Sequence, residues 1–161
     1  MKSYFKKFQK KSVPSMNNEI ILFLSVGFLA ESLIGSGFAK QMELWMSSLF
    51  DLSFLLFVFI ILLSIIITTF IGIHPLIMVM VLVTQFDPTV FLMKKEIFAL
   101  LLMVGWSMAV LLSPVTSFNM LVSGTVKEKG TTIGLRWNGG YIGIILITSI
   151  SYIYVLHLFT T

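Results

Sequence analysis

The chain has 161 residues, of which 57% are apolar and only 11% charged, with a mean hydropathy of +1.00. A water-soluble domain carries about twice that share of charge, so soluble enzymes are set aside and an all-α integral membrane protein is expected. The chain has no cysteine, which excludes disulfides and thiolate metal sites, and its two histidines lie far apart with no ligand cluster around them.

The net charge of +4 does not point to nucleic acid. Lys2, Lys6, Lys7, Lys10 and Lys11 all precede the first apolar run. That is the pattern of a cytoplasmic flank attracted to anionic headgroups. Residues 1–18 therefore read as a basic cytoplasmic N-terminal segment, and residues 19–161 as a multi-pass domain of the cell membrane. A cleaved signal peptide over residues 1–35 fits loosely, because the apolar run is too long and no clean small-x-small site follows it.

Residues 20–38 are long enough to form a first span; it contains Glu31 and the small cluster Gly35-Ser36-Gly37. Glu31 is either partnered inside a bundle or snorkels at the far interface. Residues 39–52 place Met42, Trp45, Met46 and Leu49 at helical spacing between polar residues, as in an interfacial amphipathic helix.

Residues 53–86 contain no charge. As one helix they extend about 50 Å at about 1.5 Å per residue, against a hydrocarbon core of about 30 Å. The stretch is therefore expected to be two elements joined near Gly72 and Pro75, a re-entrant hairpin. Asp87-Pro88 marks a surface turn, followed by Lys94-Lys95-Glu96. Residues 97–124 read as a broken helix, interrupted at Ser113-Pro114-Val115-Thr116-Ser117 before Asn119. Lys127-Glu128-Lys129-Gly130 is a solvated loop, and residues 138–159 form a final span whose Gly139, Gly140 and Gly143 permit close helix contact. A hairpin at 53–86 also satisfies the excess of basic residues on the cytoplasmic side better than a crossing helix, though only by one charge.

Helix breaks are costly in lipid, because freed backbone groups find no water there. Two of them in one chain point to a polar site at the bilayer midplane; the plainer alternative is a pair of proline kinks. Freed carbonyls near 72–75 and 113–117 suit a cation, and the helix starts at Leu76 and Phe118 suit an anion. The candidate substrate- or ion-binding residues are Thr69, Gly72, His74, Ser113, Thr116, Ser117 and Asn119. His74 reads either as a proton carrier or anion contact, or as a neutral cap for the broken backbone. Trp45, Trp106 and Trp137 read as interfacial or packing residues.

The order of span, amphipathic connector, hairpin, broken helix and last span resembles the C-terminal half of the ion transporter superfamily, which includes divalent-anion/sodium symporters and the large membrane subunit of TRAP transporters. In that group the hairpin tip often carries Ser-Asn-Thr; here it is Gly72-Ile73-His74-Pro75, preceded by Thr68-Thr69. The second break, Ser113-Pro114-Val115-Thr116-Ser117-Phe118-Asn119, is closer to the family pattern. The resemblance implies one inverted-repeat half of a secondary transporter for small anions, carboxylates among them. It also implies a missing N-terminal half, a second membrane subunit or a second copy as partner. No resident cofactor or metal is expected, and coupling by sodium or by protons is left open. No nucleophile–base pair with recognisable spacing is visible, so an enzyme is not expected. The competing class is a non-transporting membrane subunit that anchors or assembles a complex.

Overall fold

The computed structural model describes residues 17–34, 36–91 and 93–160. The basic N-terminal segment up to residue 16 lies outside them. Among the described residues there are helices and turns and no strand. In chain order they are α1 (Asn17–Leu33), α2 (Gly37–Leu52), α3 (Phe54–Phe70), α4 (Pro75–Gln85), a short 3₁₀ turn (Pro88–Phe91), α5 (Lys95–Leu112), α6 (Ser117–Val126), a π-helical turn (Thr132–Trp137) and α7 (Gly139–Thr160). Among the described residues two helical stretches are long and apolar enough to cross a membrane: Lys95–Val126, taken across its break, and Gly139–Thr160.

The expected first span over 20–38 is shorter in the structure. It stops at Leu33, where Ile34 N–H bonds to Glu31 O and Ser36 N–H to Leu33 O. The Ser36 hydroxyl also donates to Leu33 O, and the chain then restarts as α2. A hydroxyl that satisfies a terminal carbonyl ends the helix where backbone groups would otherwise be orphaned.

α3 and α5 form the centre of the bundle. α3 buries Phe57, Val58, Ile61, Leu62, Ile65 and Thr69, one stripe at helical spacing. α5 meets it with Ile97, Phe98, Leu101, Leu102, Gly105, Met108 and Ala109. Gly105 sets their spacing: a methyl there would stand 2.7 Å from Ile65 Cδ1 and 3.3 Å from Leu62 Cδ2. Gly139, Gly140 and Gly143 have nothing within 4 Å. The close helix contact expected of those three residues falls instead to Gly105, because it alone sits on the buried stripe of α5.

The chain reverses between α3 and α4. Phe57, near the start of α3, stacks on Phe86, just past the end of α4, with ring centroids 5.4 Å apart. Antiparallel helices joined by a short turn place first and last residues side by side, so α3 and α4 are a helical hairpin. Phe50, Phe54, Phe91 and Phe98 extend this aromatic cluster at the hairpin base. α7 runs back along α5: Asn138, at its start, bonds to Leu111 O, while His157, near its end, stacks on Phe54 at 4.0 Å. One end of the bundle thus gathers the aromatic cluster, Asp87 and Lys94–Lys95, and the other gathers both helix breaks and the segment from 127 to 138.

Candidate functional site

The first break begins where α3 runs out. Ile71 closes the helix, and Gly72 N–H and Ile73 N–H bond back to Thr69 O and Thr68 O. Gly72 sits at φ +105°, a conformation that costs an L side chain strain. Pro75 then opens α4 as its first residue, where its missing N–H is not needed. His74 is the N-cap: its Nδ1 accepts Leu76 N–H at 3.2 Å, and its carbonyl accepts Ile77 N–H at 2.9 Å.

The second break is a knot of side-chain caps on the end of α5. The Thr116 hydroxyl donates to Val110 O at 2.8 Å, and 3.1 Å separates it from Ser113 O. Asn119 Nδ2 donates to Leu111 O at 2.8 Å and to Ser113 O at 2.7 Å. Leu111 O also accepts from Asn138 Nδ2 at 3.2 Å. These bonds satisfy the terminal carbonyls that Pro114 leaves without following N–H partners. Asn119 is fully buried, and its Oδ1 has no hydrogen-bond partner among the described residues. Side chains that reach back six to eight residues along the chain require a sharp change of direction, so α6 does not prolong α5.

The segment before α7 presses on this knot. A methyl on Gly130 would stand 2.8 Å from Pro114 O, and one on Gly134 would collide with Leu112 O. Gly134 lies inside the π-helical turn Thr132–Trp137, which the residue pattern does not mark.

The two breaks touch. The buried Ser113 hydroxyl donates to Thr69 O at 2.8 Å. Around that contact lies a cavity of about 220 Å³. Thr69, Gly72, His74 and Pro75 line it from the hairpin, Trp106 and Val110 from α5, and Thr116, Ser117 and Phe118 from the second break. Of the seven candidate residues, five therefore reach the cavity wall. Ser113 and Asn119 do not: they stand behind it and hold the breaks together. Trp106 was read as a packing or interfacial residue, yet its ring forms part of the wall, edge-on to His74 with centroids 6.4 Å apart.

The wall carries no formal charge, and it combines the N-terminal ends of two helices with the C-terminal ends of α3 and α5. No Asp, Glu, Lys or Arg lines it. Its polar side chains are His74, Trp106, Thr69, Thr116 and Ser117, of which the Thr69 and Thr116 hydroxyls donate to Ile65 O and Val110 O. The N-terminal ends of α4 and α6 both abut it, and α6 has no side-chain cap on its first turn. Two helix N-terminal ends with the His74 and Ser117 side chains beside them suit an anion. Along α5, a rise of about 1.5 Å per residue puts Trp106 about 17 Å and Ser113 about 27 Å from Lys95. The cavity therefore extends from the middle of the bundle toward one end, where the sequence pointed to the middle alone.

A separate cleft of about 510 Å³ lies at the other end of α4, lined by Glu43, Asp87 and Lys95 among others. It carries both signs of charge and shares no residue with the breaks. Among the described residues no group of three or more His, Cys, Asp or Glu side chains is placed to hold a metal ion.

No family model matches the chain, and no curated protein or solved structure is significantly similar to it.

Proposed function

We propose that this chain is a multi-pass protein of the cell membrane, with a cytoplasmic N-terminus, and forms one half of a secondary transporter for small anions. One observation carries the reading: two helix breaks, 44 residues apart in sequence, are bonded to each other beside a cavity that two helix N-termini abut. In a hydrocarbon core of about 30 Å, with Lys95 at one boundary, the cavity lies from the midplane outward, within reach of the opposite surface. The apolar exterior supports immersion in lipid: Phe28, Leu24, Leu121, Ile147 and Phe159 are each at least 70% exposed. The likeness of element order to the ion transporter superfamily is consistent with this reading.

His74 and Ser117 are exposed at the cavity, so one wall is open. A second copy, the missing half or a paired subunit would close it. Alternating access then consists of the hairpin and the second break moving against the α5–α7 scaffold.

The test is uptake and equilibrium binding by the reconstituted chain, with lactate, succinate and sulfate as probes, alone and with Ser117→Ala. Binding that falls at least severalfold in the variant, with assembly unchanged, supports an anion site. Unchanged binding with altered assembly would instead identify an anchoring subunit. Full-rate transport by a monomeric chain would contradict the half-site reading.

A further inference from the structure

We propose that His74 is the proton site of the cavity, and that a proton and an anion bind there together. This deepens the anion reading above and rests on it. The geometry of the N-cap carries it. His74 Nδ1 accepts the Leu76 N–H at 3.2 Å, so that nitrogen holds no proton and the ring proton sits on Nε2. When a proton adds to Nδ1, the acceptor becomes a donor. Two N–H groups then face each other and the cap opens. The Leu76 N–H loses its partner, and a full positive charge appears beside the first turn of α4.

Each of these changes is unfavourable in an empty cavity. The helix N-terminus already carries partial positive charge, which opposes a cation. A freed amide with no partner is also unfavourable. An anion in the cavity offsets both, by pairing with the imidazolium and accepting from the opened helix end. Proton and anion therefore favour each other's binding, and the coupling is reciprocal.

Among the described residues at the cavity this role falls to His74. From α5 the facing group is Trp106; from the second break they are Thr116 and Ser117; from its own hairpin they are Thr69, Gly72 and Pro75. None of these titrates near neutral pH. The coupling ion is thus a proton delivered at an N-cap. The anion is drawn in on the acidic side of the membrane and released on the other when His74 gives up its proton and the cap re-forms.

The experiment is nuclear magnetic resonance on the full chain in lipid nanodiscs, following the His74 ring nitrogens and the Leu76 amide between about pH 5 and about pH 8. Succinate, lactate and sulfate are the added probes. His157 is the chain's other histidine, so the spectrum of His74→Asn assigns the signal. Asparagine can cap Leu76 but binds no proton, so this variant keeps the fold. Without a probe, the Leu76 amide should shift and exchange faster as His74 protonates. At least one probe should then raise the midpoint of that titration, and its affinity should rise by up to about tenfold for each pH unit of acidification across the titration. In His74→Asn both the amide and the affinity should be independent of pH. A Leu76 amide that ignores His74 protonation overturns the proton site, whether or not anions bind. If the cap opens on protonation, and a probe binds with pH-independent affinity, the coupling fails and the anion site stands. If the cap opens and no probe binds, the anion site fails and the coupling with it.

Discussion

The Ser113 hydroxyl and the Thr69 carbonyl are 2.8 Å apart, and this single bond ties the end of α5 to the end of α3. Thr69 O also accepts Gly72 N–H. Ser113→Ala should cost about 1–2 kcal/mol, the penalty for losing a buried hydroxyl bond. It should also weaken anion binding by loosening the cavity wall. Thermal unfolding in detergent, paired with binding, checks both effects. Ser117→Ala, at an exposed position, should lower binding with little change in stability.

Asn119 holds two terminal carbonyls through one amide nitrogen. Asn119→Ala should destabilise by about 1–2 kcal/mol, since the Leu111 and Ser113 carbonyls each lose one of two donors and keep Asn138 and Thr116. Asn119→Asp should be worse, because a carboxylate oxygen would face those carbonyls. Melting curves of the two variants rank them.

The glycines divide by what they touch. Gly134→Ala would drive a methyl into Leu112 O, and Gly72→Ala would force alanine to φ +105°. The first should abolish the folded state. The second should cost about 1–2 kcal/mol. Gly139→Ala and Gly140→Ala meet open space and should leave the melting temperature within error.

Asp87 begins the loop that closes the hairpin base. Its carboxylate accepts the Thr89 hydroxyl at 2.7 Å and the Thr89 N–H at 3.0 Å. The hydroxyl bond first, then the backbone bond, holds its carboxyl below the ordinary value. For a lowered carboxyl the contribution to stability is present above the unfolded-state value and is lost as pH falls through the folded one. Thr89→Ala should therefore move the Asp87 titration upward, read from its carboxyl carbon resonance.

Much of this arrangement is legible in the residues, and the limits are physical. The uncharged run from 53 to 86 is too long for one span, and Gly72 and Pro75 mark where it can turn; the structure ends α3 at Phe70 and starts α4 at Pro75. The second break is legible at Pro114 for the same reason. Side-chain roles inside the breaks are not, because they depend on how the backbone folds back. Asn119 reads as a ligand, yet it lies behind the cavity as a brace. Trp106 could not be assigned to the cavity because α5 is apolar on every side, which hides the face that meets the hairpin. Gly35-Ser36-Gly37 looked like part of a span, but the capping preference of Ser36 wins and ends α1 early.

The meeting of the two breaks is tested most directly by cross-linking in the membrane. The chain has no native cysteine. Ile73 and Val115 line the same cavity from opposite breaks and are both exposed. Ile73→Cys and Val115→Cys together should give a rapid intramolecular cross-link with a short bifunctional thiol reagent in native membranes. Two thiols that each react singly but never join within one chain would contradict a shared cavity.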